Sequence, residues 1–151
     1  MSPQQNDSPP PGSLAHLQSL PSWLAGRVAA RGRSLVSEAI AAHGLKLQHY
    51  AVLATVADEG PLAQADLVRR LGFDPKDVVL LVNHLEREGL LLREPDPRDR
   101  RKNAVTATPP GRRLLHTCAH LADRANEQLL APLTPAERRT LLALLTRLVQ
   151  D

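Results

Sequence analysis

The residues best equipped for chemistry in this chain are basic and crowded together. Between positions 98 and 113 stand Arg98, Arg100, Arg101, Lys102, Arg112 and Arg113, against the acid Asp99. That local surplus of five sits in a chain whose net charge is only +3, so the remainder carries −2. A focused cationic patch on a near-neutral body points to a polyanion met at one place. A solvated loop facing water is the plain alternative. The other sets are smaller. His116 and His120 are four residues apart, a helical spacing at which two imidazoles can share a zinc ion, and Asp123 and Glu127 continue that face. Trp23 and Arg27 share the same spacing and could line a pocket for an aromatic or anionic effector, with His49 and Tyr50 across from them. The only cysteine, Cys118, excludes an intrachain disulfide and suits a reducing cytoplasm. No Ser–His–acid spacing, glycine-rich phosphate loop or paired-carboxylate motif is present, so an enzyme is not expected, nor is a cofactor.

These residues need a scaffold, and 151 residues give one domain, or one domain and a tail. Apolar residues make up 42% of the chain but aromatics only 2%. The core must therefore be Leu, Val and Ala, which favours packed helices over a sheet sandwich. No apolar run approaches 18 residues and no basic-then-apolar leader is seen, so neither a membrane span nor export is expected.

Proline, glycine and small polar residues mark 1–13 as a disordered tail. A short helical turn over 14–20 is interrupted by Pro21, and Ser22 can cap a helix over 23–42 whose apolar positions include Leu24, Val28, Leu35, Val36, Ala39 and Ile40. His43 and Gly44 stop it. A second long helix over 47–58 carries a stripe of Tyr50, Leu53, Ala54 and Ala57, broken at Gly60–Pro61. A short helix over 64–71 turns Leu67, Val68 and Leu71 inward and ends at Gly72. Asp74 then reads as an N-cap with Pro75 at the first helical position and Asp77 in the first turn, where the helix dipole favours a negative charge. Val78, Leu81, Val82 and Leu85 form the buried stripe, and Gly89 closes the helix. Extended runs over 90–93 and 104–107 flank a loop, 94–103, kept from helix by Pro95 and Pro97. A helix over 109–130 has its stripe at Leu114, Cys118, Leu121, Ala125 and Leu129. Thr134, Pro135 and Glu137 form a capping box for a last helix running to 149 through Leu141, Leu145 and Leu148.

Two helices, a capped turn, a punctuated second helix and a basic hairpin loop spell a winged helix-turn-helix over about 47–108. The fold class is mainly α with a small β-hairpin wing (α+β). The flanking helices, about 14–43 and 109–150, are more apolar than so small a unit can cover. Their economical use is an isologous interface in a homodimer.

Several strings in this order resemble the MarR family of bacterial transcriptional regulators, over about residues 22–150. They are GLKLQHYAVL from Gly44, LVRRLG over 67–72, LEREGL over 85–90, DPRDRR over 96–101 and TPPGR over 108–112. The wing string in this context is the specific one. The resemblance implies a homodimer on a pseudo-palindromic operator in double-stranded DNA, usually as a repressor. Each recognition helix would enter a major groove and each wing a flanking minor groove, with half-sites roughly 10 bp apart. It also implies release by a small aromatic ligand bound between the dimer helices and the winged lobe; some members respond to oxidation or metal.

Residue by residue, Arg100 and Arg101 are the expected minor-groove or phosphate contacts, with Arg98 and Lys102 in support. In the family pattern the position of Asp99 holds an arginine by an ion pair, so Asp99 is expected to be structural. On the recognition helix the buried stripe leaves Lys76, Asp77, Val79, Leu80, Asn83 and His84 for the groove side or its margins. Lys76 and Asn83 are the polar readers, Asp77 can accept from a cytosine amine, and Val79 and Leu80 can pack on thymine methyls. The two aliphatics leave open a second reading, a protein-interaction dimer with weakened DNA readout. A zinc-responsive regulator using His116 and His120 is a third. Peroxide-sensing relatives carry their cysteine in the first helix, so Cys118 is expected to pack in the core.

Overall fold

A computed structural model describes residues 7–150. Its order is α1 (Leu14–Ser19), α2 (Pro21–Ala41), α3 (Leu47–Glu59), α4 (Gln64–Leu71), α5 (Pro75–Arg87), β1 (Leu91–Asp96), β2 (Asp99–Ala107), α6 (Pro109–Leu129) and α7 (Pro135–Val149). The mainly helical architecture with one antiparallel hairpin matches the expected fold class.

Local chemistry sets most of the boundaries. Asp74 caps α5 by accepting from the Lys76 N–H at 2.8 Å, with Pro75 in the first turn. Thr134 and Glu137 satisfy each other's backbone N–H at the start of α7. Gly72 and Gly89 follow α4 and α5 at φ 66° and 72°, left-handed values that favour glycine.

Three boundaries differ from the sequence reading. α2 begins at Pro21, not after Ser22, because a proline at N1 lacks only an N–H that no helical carbonyl would have used. The tail expectation falls partly on residues 1–6, which lie outside the described residues. Within 10–13 the chain turns: the Ser13 hydroxyl donates to the Pro10 carbonyl at 2.7 Å and accepts from the His16 N–H at 3.1 Å, capping α1. The hairpin is also longer than the runs 90–93 and 104–107. Pro95 lies inside β1, whose outer edge pairs with no further strand among the described residues, a position that tolerates its missing N–H.

The core sits around α3, which packs on α2, α4, α5, α6 and β2. Its buried residues are His49, Val52, Leu53 and Val56 rather than the expected stripe of Tyr50, Leu53, Ala54 and Ala57. The buried set is again spaced i, i+3, i+4, i+7, a stripe rotated by one residue, about 100°, so that Val52 and Val56 rather than Ala54 and Ala57 fill the core. Val78, Leu81, Val82 and Leu85 of α5 enter the same core, as expected. Leu62 bridges to Val105 by two backbone hydrogen bonds of 3.1 and 2.8 Å, tying the wing's inner strand to the α3–α4 junction.

α2 divides along its length. Val36 and Ile40 enter the core, whereas Trp23, Leu24 and Val28 face solvent. α7 buries no residue at all. No helix among the described residues is long and apolar enough to cross a membrane.

Candidate nucleic-acid interface

The hairpin places the cations of the wing. Pairing runs in one register from Leu91↔Ala107 to Pro95↔Asn103, then jumps to Asp96↔Asp99. Arg100, Arg101 and Lys102 fall in the jump, with no opposite residue on β1, and all three are exposed. A bulge of this kind bends the strand and re-aims its side chains.

Two acids organise what surrounds them. Asp99 accepts from the Arg101 backbone N–H and from its Nε, both at 3.1 Å, and from Nη2 at 3.2 Å. The Arg101 guanidinium, then its N–H, hold the Asp99 carboxyl below the usual carboxylate range. Arg101 is nevertheless 90% exposed, so its charge is oriented without being removed from solvent. Arg98 behaves differently. Its guanidinium reaches back to Asp96 at 3.4 Å and to Asp66 of α4 at 3.0 Å. The hydrogen bonds to Asp96 and Asp66 raise the Arg98 pKa above its ordinary value. Asp66 also accepts from the Ala63 N–H at 3.0 Å, the largest cause of its lowered pKa, and pairs with Arg69. Arg98 is thus a clasp between wing and α4, and Asp66, unremarked in the sequence, is its other half.

On α5 the buried stripe turns Lys76, Leu80, Asn83 and Arg87 to the opposite face, at spacings of four, three and four, with Val79 beside them. Lys76, Asp77, Val79, Leu80 and Arg87 are exposed; Asn83 is half-buried. Arg87 was missed by the sequence reading, although the same spacing rule would have found it. A concavity of about 470 Å³ joins α5 to the wing, lined by Gln64, Val79, Arg93, Lys102, Asn103 and Val105. It brings Val79 and Lys102 together. Arg93 spans its wall, donating to Glu86 Oε1 and Asn83 Oδ1, each at 2.7 Å. Arg112 is spent elsewhere, on the Ala57 carbonyl at the end of α3 at 3.1 Å.

The four residues offered for an effector pocket are not brought together. Arg27 lines an apolar groove of about 610 Å³ with Val28, Arg31, Leu129, Leu133 and Leu141, between α2, α6 and α7. His49 is buried in the core instead, where its Nδ1 accepts the Lys46 N–H at 3.0 Å and its ring lies 4.5 Å from that of His84 on α5. Tyr50 is half-buried, its pKa raised by burial and then by Asp123. Trp23 stands on the projecting part of α2, 39% exposed. The sequence spacing could not show that α3 turns His49 toward α5 and away from α2.

His116 and His120 do meet, edge to face, with their Nε2 atoms 3.1 Å apart on the exposed side of α6. Among the described residues no group of three or more His, Cys, Asp or Glu is placed to hold a metal ion. Cys118 is fully buried, and burial pushes its thiol pKa up, which leaves little thiolate for redox chemistry.

A helix pair, α4 and α5, followed by a bulged two-stranded wing and framed by long helices defines a winged helix-turn-helix protein. More narrowly, the chain belongs to the MarR family, whose model matches residues 43–102. It is 35% identical over 102 residues to a putative transcriptional regulatory protein for the hcr operon of Thauera aromatica, covering 68% of this chain and 61% of that protein. The chain spans 61% and 65% of the length of two curated relatives it matches. Among solved structures it resembles a probable transcriptional regulator from Pseudomonas aeruginosa, at 32% identity and TM-score 0.79, over 88% of this chain and 99% of that one. It also resembles Bordetella bronchiseptica BpsR, whose DNA binding is regulated by 6-hydroxynicotinic acid. There the identity is 28% and the TM-score 0.80, over 90% of this chain and 97% of that one.

Proposed function

We propose that this chain is a DNA-binding transcriptional regulator that acts as a homodimeric repressor on a pseudo-palindromic operator. One observation carries the reading: the wing's bulge presents Arg100, Arg101 and Lys102 to solvent beside the exposed face of α5. A helix and a basic hairpin so placed can occupy a major groove and the neighbouring minor groove of one duplex. Lys76, Asp77, Val79, Leu80 and Asn83 would face bases, and Arg100, Arg101 and Lys102 the phosphates or minor groove. Arg98 acts through the wing's position, because its guanidinium is already held by two carboxylates. Work on DNA requires a cytoplasmic location. A small aromatic or anionic effector would release the DNA, a class supported by the action of 6-hydroxynicotinic acid on BpsR. Arg27 and Arg31 beside the apolar groove are its candidate anchors.

Fluorescence anisotropy on DNA upstream of the protein's own gene tests the reading. Binding should weaken steeply with salt, as released counterions require. Arg101→Ala should weaken binding to all sequences and reduce the salt slope by about 1. An unchanged affinity and slope would remove Arg101 from the interface.

A further inference from the structure

The outward face of α5 is short of polar groups free to read a base. Asn83 is placed to read adenine, but a bidentate contact needs both its carbonyl oxygen and its amide N–H groups. Its Oδ1 already accepts from Arg93 Nη2 at 2.7 Å, which holds the amide toward the wing and leaves one lone pair for a base. Arg93 cannot substitute, since its second amine is on Glu86 at 2.7 Å. Asp77 stands at the margin of the face in the helix's first turn, beside a hollow lined by Lys46, Gln48, His49 and Leu80.

Lys76 and Arg87 stand at the two ends of the face, and its middle is aliphatic. Leu80 is 66% and Val79 40% exposed, side by side on one turn in the middle of the helix. Leu80 edges the hollow beside α3 and Val79 the concavity beside the wing, so the pair spans the width of the face. The one apolar group that an ordinary major groove displays is the 5-methyl of thymine. Adjacent residues of a helix diverge by about 100° around its axis, so Val79 and Leu80 reach different positions in the groove.

We propose that Val79 and Leu80 are specificity-determining residues that each select a thymine in the operator half-site by packing on its 5-methyl group. Asn83, its amide held by Arg93, adds a polar contact beside them. The proposal rests on the DNA-binding reading above and names what that interface recognises.

The test uses the full chain and a duplex selected from random DNA. Each thymine of a half-site is replaced in turn by uracil, which lacks only the methyl. At one or two positions per half-site, Kd at fixed salt should rise about fourfold for each methyl lost. In Leu80→Ala one of those penalties should vanish, so that thymine and uracil bind alike there; Val79→Ala should erase the other. Selective binding with no uracil penalty anywhere would overturn the methyl assignment and leave the DNA-binding reading standing. Penalties retained in full by both variants would also overturn it. If no duplex is enriched over random DNA, both the assignment and the reading beneath it fall, and the aliphatic face belongs to a protein partner.

Discussion

His49, offered by the sequence as a pocket residue opposite Trp23 and Arg27, is instead buried beside α5. It is neutral in the fold by construction: its Nδ1 accepts the Lys46 N–H at 3.0 Å, so the ring proton is on Nε2. Burial lowers its pKa from the usual value near 6.5, and the neighbouring His84 and Lys46 act in the same direction. The unfolded chain therefore takes up this proton first as pH falls. Stability is complete above about pH 6.5 and is lost as pH drops from there through the lower folded pKa. Asp66, Asp96 and Asp99, all with lowered pKa, add a second loss beginning below about pH 4. Urea midpoints measured from pH 8 to 3 should fall along both limbs, and His49→Gln should flatten the upper limb alone. An upper limb that survives the substitution would assign it to another histidine. Because His84 lies on α5, acidification should loosen the recognition helix before the rest of the core, visible as faster amide exchange there.

At the scale of elements, the junction between the winged unit and α6 is closely packed. Thr108 donates its hydroxyl to the Gly89 carbonyl at 2.6 Å and its N–H to the Leu90 carbonyl at 3.1 Å, and its Oγ1 accepts the Gly111 N–H. A Cβ on Gly111 would lie 2.1 Å from the Leu90 oxygen, so a backbone would have to move. Gly111→Ala should cost about 1–3 kcal/mol in urea unfolding, as overpacking does. Gly26, also helical, has nothing within 4 Å of its would-be Cβ. Gly26→Ala should be neutral or stabilising by up to about 1 kcal/mol. Equal effects at the two sites would refute the account of the junction. The contrast also marks what the sequence could reveal. Caps such as Asp74 with Pro75, or Thr134 with Glu137, are local chemistry and were legible. The Arg98–Asp66 clasp joins residues 32 apart and the Gly111–Leu90 contact joins 21; neither leaves a periodic trace. The wing was read too short because a proline reads as a breaker until its strand is known to be an edge.

At the scale of the whole molecule, the protomer leaves one apolar account open. α7 is capped at its start and helical to Val149, yet Leu142, Leu144, Leu145 and Leu148 all face solvent. Trp23, Leu24 and Val28 of α2 do the same, and an apolar groove runs between α2, α6 and α7. Isolated exposed leucines need no explanation, but contiguous ones on a terminal helix call for a partner surface. The proposed homodimer supplies it, since an isologous contact would cover both arms at once and set two α5 helices on one side of a duplex. Leu148 is 81% exposed, so Leu148→Glu removes little from the protomer's own core. Its urea midpoint should stay close to that of the parent when both are compared as monomers at low concentration. Sedimentation equilibrium should show dissociation at concentrations where the parent is dimeric. Affinity for a duplex carrying both half-sites should then collapse toward that for a single half-site, because the second α5 no longer binds as part of the same molecule. A variant that stays dimeric would move the interface off α7. One that becomes monomeric yet keeps the two-site affinity would show that the protomers meet on the DNA without these helices.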